Sequence, residues 1–172
     1  MNLQKLFDTQ KVLRDRIAYN EPDRFDKLIL ALLVEIGECA NEWRGFKFWS
    51  KDQEPRTKVP VTGWGEPYKN PLLEEYVDGL HFVLEIGLQH GFDKDVAGLA
   101  IETIKFRTIE QQFTALMRVD WEIYECGHGG YFHEGFELYL SLGEMLGFTG
   151  EQVEKAYFEK NQINHLRQDE GY

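Results

Sequence analysis

Apolar residues along this chain recur mainly at intervals of three and four. Leu3, Leu6, Phe7, Leu13 and Ile17 share one helical face with a single amide, Gln10, which predicts a first helix over about 2–19. Asn20-Glu-Pro22-Asp23 breaks the pattern, and Asp23 can cap the next helix. That second helix is expected from Arg24 to Trp49. Its first half, Leu28 to Val34, is apolar all round, as expected of a segment at the centre of a bundle. The stretch 50–71 holds Pro55, Pro60, Pro67 and Pro71 together with Gly63 and Gly65, so no long helix can cross it. A connection of that length inside one domain is characteristic of a lid or binding loop, with room for a short hairpin around Val59–Trp64.

Helical spacing returns from Leu72 to His90, where Gly91 is placed to end it. A further helix is expected over Asp93–Leu116, a broken stretch over Asp120–Gly130, and two last helices over His133–Leu146 and Thr149–Gln168. Thr149 and Gln152 have the spacing of a capping box. The expectation is an all-α bundle of five or six helices, one domain over 1–172, with the loop at 50–71.

Four acids break this pattern. Glu35 and Glu38 stand in the apolar second helix, and Glu75 and Asp78 in Leu72-Leu-Glu-Glu-Tyr-Val-Asp-Gly-Leu-His-Phe. Each pair is three apart, so both members lie on one face, one turn apart. Two such pairs facing a bundle interior cannot all remain ionised without cations. The bland alternative is that they face outward and pair with Lys or Arg. An all-oxygen donor set favours Mg²⁺ or Mn²⁺. Di-iron bundles carry repeated Glu-x-x-His, and Asp78-x-x-His81 supplies only one histidine at that offset.

Composition narrows the partners. With 19 basic and 30 acidic residues among 172, the formal charge of −11 disfavours nucleic acid and anionic membranes, whose binders spread Lys and Arg over one face. A small phosphorylated substrate stays possible if bridging cations are held. Cys39 and Cys126 are too few for a disulfide framework. No apolar run is long enough to span a bilayer, and Met1–Asp8 lacks the apolar core of a secretion signal. A cytoplasmic protein is expected.

The run Glu35-Ile-Gly-Glu38-Cys-Ala-Asn41-Glu42-Trp-Arg44-Gly-Phe46-Lys47-Phe-Trp49 resembles a motif of the dimeric all-α dUTP diphosphatases, members of the all-α NTP pyrophosphatase superfamily with the MazG-like enzymes. Glu75-Tyr-Val-Asp78-Gly-Leu-His81-Phe82 resembles that family's next motif, and Tyr157-Phe-Glu-Lys160-Asn161-Gln-Ile-Asn164-His-Leu-Arg167-Gln168 its last. Gln10-Lys-Val-Leu-Arg-Asp15-Arg16-Ile is similar to the first, except that Arg14 stands where several relatives carry Asn or Asp.

The resemblance implies a bundle with a four-helix metal-binding core and a homodimer. It also implies hydrolysis of dUTP, and of dUDP, to dUMP. Glu35, Glu38, Glu75 and Asp78 would hold two or three Mg²⁺, with Glu38 or Glu35 helping to deprotonate the attacking water. Lys160, Asn164 and Arg167 form one stripe at i, i+4 and i+7, suited to a phosphate tail, with Asn161 beside them and Lys47 as a further phosphate ligand. Gln10 can offer donor and acceptor to a uracil edge, while Trp49 and Phe82 supply apolar walls. His81 and Phe82 correspond to positions that border the sugar. The same metal frame would also serve a pyrophosphatase for dCTP or a modified dNTP, and the bundle could instead be a silent binding module. Cys126-Gly-His128-Gly-Gly-Tyr-Phe-His133 lacks the paired spacing of a zinc module and is read as a loop.

Overall fold

A computed structural model describes residues 1–62, 67–96, 100–123 and 131–171. Among them are six α-helices: α1 (Leu3–Ile17), α2 (Arg24–Trp43), α3 (Pro71–His90), α4 (Ile109–Leu116), α5 (Phe132–Met145) and α6 (Gly150–Asp169). The only sheet among these residues is a two-stranded antiparallel ribbon, β1 (Val59–Pro60) with β2 (Tyr68–Lys69). The architecture is the expected all-α bundle. None of the described helices is long and apolar enough to cross a membrane.

Helix ends follow local chemistry. Asn2, Asn70, Thr108 and Thr149 each accept a hydrogen bond from a first-turn amide with their side chain, and Thr149 with Gln152 forms the full capping box. Gly91 closes α3 in the left-handed conformation at φ 78°. Helix α3 lies at the centre, packed against α1, α2, α5 and α6. Leu72, Val77, Leu80, Val83, Leu84 and Ile86 are fully or almost fully buried along it. An aromatic cluster of Phe7, Phe92, Phe132 and Phe136 fills one end of the core, with ring centroids 5.1–6.1 Å apart.

Helices α3 and α5 are joined by two tyrosines that trade hydrogen bonds. The Tyr76 hydroxyl donates to the Tyr139 carbonyl at 3.2 Å, the Tyr139 hydroxyl to the Tyr76 carbonyl at 2.7 Å, and the rings stack at 5.0 Å. Glycines make room for both. A Cβ on Gly79 would lie 2.2 Å from the Tyr139 hydroxyl, and one on Gly143 would lie 2.5 Å from that of Tyr76. Gly79→Ala is therefore expected to cost roughly 1–3 kcal/mol through overpacking and the displaced hydrogen bond. Thermal unfolding of the variant checks this, and an unchanged Tm would refute the close fit.

Four expectations need correction. Helix α2 is not the central helix: it packs on α3 and α4, buries only Leu32, Ile36 and Cys39, and leaves Leu30 and Val34 exposed, so α3 holds the centre. Helix α2 ends at Trp43, not Trp49: Arg44 takes φ 67°, and the Trp43 indole folds over Gly45, where a Cβ would lie 2.3 Å from it. The reversal is tied down by the Arg44 guanidinium, which donates to the Asp52 carbonyl at 2.7 Å and pairs with its carboxylate at 3.2 Å. The helix expected over Asp93–Leu116 is a short 3-10 turn at Phe92–Lys94 and, after a stretch that includes non-helical residues 100–107, α4. There the amides of Glu102, Ile104 and Phe106 donate to the buried side chains of Glu137, Ser141 and Gln112 at 2.8–2.9 Å, so these backbone donors are satisfied without a helix. The ribbon pairs Val59 and Pro60 with Lys69 and Tyr68 instead of closing by Trp64. Gly63, Trp64 and Cys126–Gly130 lie outside the described residues.

Candidate metal centre and adjoining cavity

The acidic pairs meet because α2 and α3 run antiparallel in close contact, with the Cβ of Glu35 only 3.5 Å from where a Cβ on Gly79 would stand. Glu35, Glu75 and Asp78, all half-buried, each place a carboxylate oxygen within 4.8 Å of the others. Glu38, one turn further along α2, is exposed at the edge of this cluster. Its negative charge nevertheless raises the proton affinity of the other three.

Burial, followed by the charges of Asp78, Glu38 and Glu75, pushes the Glu35 carboxyl up to about 7. Burial, followed by Asp78 and Glu38, lifts Glu75 to the same value. Asp78 is also raised by burial, against the opposing pull of the Lys160 ammonium, which donates to it at 2.5 Å. The triad is thus short of positive charge at neutral pH, although one lysine already reaches it. Hard oxygen donors converging on one point in that condition fit a divalent cation.

A cavity of about 470 Å³ opens beside the triad between α1, α2, α3 and α6. Its lining lies one helical turn from the cluster on three helices. Ala31 precedes Glu35 by four residues, His81 and Phe82 follow Asp78 by three and four, and Asn164 follows Lys160 by four. Leu13, Ile17, Leu28 and Phe82 provide apolar wall, and Arg14, Arg24, Lys27 and Arg167 bring positive charge. The volume and the mix of apolar wall with few polar groups suit a small organic ligand. A second groove of about 450 Å³, between α4 and α5, has no converging acids beside it among the described residues.

The residues picked out by sequence distribute unevenly. Gln10, His81, Phe82, Asn164 and Arg167 line the cavity. Lys160 spans to Asp78 and, with Arg167, also lines a groove beneath β2 and the start of α3. Asn161 is 5% exposed, and its Nδ2 has no hydrogen-bond partner among the described residues. Lys47 and Trp49 do not line the cavity; the reversal after Trp43 carries them onto a surface turn, where Trp49 is 65% exposed and packs edge-on against Phe46 and Phe48.

Gln10 is less free than its position on α1 implies. It is 4% exposed, its Nε2 donates to Glu85 Oε2 at 2.9 Å, and its Oε1 meets the Tyr157 hydroxyl at 2.9 Å and His81 Nδ1 at 2.8 Å. Its acceptor is therefore occupied, and one N–H is left for a ligand. Glu85, Tyr157 and Arg24 belong to this group and were missed. Glu85 could have been found as the lone acid in Val83-Leu84-Glu85-Ile86, a run with no other polar residue.

No individual curated protein matches the chain. The profile of the family described as dUTPase matches residues 2–172. With its all-helical fold and its acidic cluster between α2 and α3, this chain belongs to the dUTPase family and is a nucleotide hydrolase of the dUTP diphosphatase type.

Proposed function

We propose that the protein, as one domain over 1–172, hydrolyses dUTP and dUDP to dUMP with Mg²⁺ held by Glu35, Glu75, Asp78 and Glu38. The observation that carries this reading is the convergence of three carboxylates beside a cavity of nucleoside size. When bound, the cation supplies neutralisation of phosphate oxygens and acidification of a water, and Mn²⁺ has the same donor preference. Phe82, Leu13 and Leu28 exclude water around base and sugar, and the remaining Gln10 N–H meets a uracil carbonyl. Lys160 and Arg167 balance the phosphate tail, with Asn161 and Asn164 as neutral donors on the same helix. Glu38, exposed at the rim with Glu35 behind it, is placed to accept the proton of the attacking water.

Lys47 reaches the phosphates in this reading only if its turn moves or a second copy brings it. The homodimer is supported by exposed apolar side chains on one face of α2, where Leu30 is 64% and Val34 47% exposed, and by Phe48 at 86%. The same reading places the enzyme in the cytoplasm.

The test is release of phosphate or pyrophosphate from dUTP, dUDP, dCTP, dTTP and UTP, each with Mg²⁺ and with EDTA. Turnover highest on the deoxyuridine substrates and abolished by EDTA is expected. Glu38→Gln should lose most of that turnover, roughly tenfold or more, with an unchanged fold. Preference for another base would overturn the substrate, and turnover in EDTA would overturn the metal.

A further inference from the structure

Along the cavity wall a chain of polar groups, buried from Glu85 inward, has a defined direction. It starts at Arg24, whose guanidinium donates to Glu85 Oε1 and to Gln89 Oε1. Glu85 is 5% exposed, and its other oxygen accepts from Gln10 Nε2 at 2.9 Å. A carboxylate paired with arginine can only accept, so the amide of Gln10 must turn its nitrogen to Glu85 and its oxygen the other way. That oxygen can only accept: His81 Nδ1 at 2.8 Å donates to it, and so does the Tyr157 hydroxyl at 2.9 Å, which has the Leu6 carbonyl as a longer alternative at 3.4 Å. The imidazole of His81 stacks on the Tyr157 ring at 4.2 Å, which fixes its plane.

We propose that Glu85, held by Arg24, is a positioning residue that sets the orientation of the Gln10 amide and thereby locks His81 in the Nδ1–H tautomer. Nε2 is then a bare, buried acceptor on a residue that lines the nucleotide cavity. His81 lines that cavity, is 6% exposed, and its Nε2 has no hydrogen-bond partner among the described residues. A buried acceptor left open in this way is costly unless a ligand fills it. The group it would take is a neutral hydrogen-bond donor, the imide N–H of the base or a sugar hydroxyl. The imidazole stays neutral because burial, with help from the Lys160 charge, presses its pKa down to about 3. The assignment deepens the proposed nucleotide reading and rests on it for the ligand alone.

Glu85→Gln tests the polarity with almost no change in shape. Arg24 can only donate, so the new amide must turn its oxygen to Arg24 and its nitrogen to Gln10. Gln10 then flips, presents its own nitrogen to His81, and forces the proton from Nδ1 to Nε2. In the nucleotide-free protein the ¹⁵N shifts of the His81 ring report this directly. Wild type should show a protonated Nδ1 and an unprotonated Nε2 at neutral pH, and Glu85→Gln the reverse. Tyr157→Phe removes one donor from the same oxygen without changing its polarity, so His81 should keep the wild-type tautomer. If Glu85→Gln does not fold, the wild-type and Tyr157→Phe spectra still decide the matter. A wild-type His81 protonated at Nε2 overturns the proposal, as does a folded Glu85→Gln that retains Nδ1–H.

With dUTP, the inverted tautomer sets donor against donor, and KM should rise roughly tenfold or more with kcat less affected. Wild-type KM in a variant with inverted tautomer would overturn the role of Nε2 toward the ligand. A wild type that turns over no deoxyuridine nucleotide would instead sink the proposed substrate, while the tautomer result would stand.

Discussion

Glu75→Gln is expected to lower kcat/KM for dUTP about a thousandfold, a barrier increase of roughly 4 kcal/mol, and yet to raise the Tm of the protein in EDTA at pH 8. The two effects have one cause. Glu75 is one of three carboxyls whose oxygens lie within 4.8 Å of one another, and it is pushed up to about 7 by burial and by Asp78 and Glu38. Without a cation, ionising all three costs desolvation and repulsion, so a neutral amide of the same shape relieves the fold. With substrate and Mg²⁺, the same amide removes a formal charge from the ligand set and weakens cation binding, which is worth several kcal/mol in phosphoryl chemistry. A structural acid would behave in the opposite way: its loss would lower Tm and spare turnover. Steady-state kinetics and calorimetry on the one variant separate the two outcomes, and a lower Tm in EDTA would refute the repulsion argument.

The second large effect is a crossing of stability with pH. Glu35 and Glu75 are raised in the fold from an ordinary 4.5 to about 7. A group whose folded pKa lies above its unfolded value stabilises fully below the unfolded pKa and loses that contribution as pH rises through the folded one. The metal-free protein should therefore lose Tm between about pH 4.5 and pH 7. Because both groups are only half-buried and titrate together, the loss is of order 1 kcal/mol after solvent screening, or about 2–4 °C. Cation binding needs the ionised forms, so the stabilisation by Mg²⁺ should grow across the same window and reach about 2.7 kcal/mol at a hundred times its Kd. Thermal scans from pH 5 to 8.5, with EDTA and with Mg²⁺, should give curves of opposite slope. Parallel curves would mean that the cation binds elsewhere.

Local information determined a large part of this molecule. The three-and-four spacing of Leu3 to Ile17 and of Leu72 to His90, the Thr149–Gln152 box and Gly91 specify helices and ends through contacts within a few residues of sequence. The acids at 35, 38, 75 and 78 could be singled out because a charge is costly wherever the pattern calls for apolar side chains. The family was legible from the same residues and their flanks.

Contacts that periodicity does not encode decided the rest. Trp43 to Trp49 reads as helix until the Trp43 indole lies over Gly45 and Asp52 holds Arg44. Residues 100–107 read as helix because their spacing is ambiguous, but Glu137 and Ser141 of α5 and Gln112 of α4 take their amides. Gln10 looks like a free reader of a base edge, and only packing reveals that Glu85, His81 and Tyr157 already claim its oxygen and one of its hydrogens. Sequence periodicity specifies which face of a helix a side chain occupies. What meets that side chain across the bundle is set by how helices cross, and hydrogen-bond direction, proton affinity and cavity shape all depend on that partner.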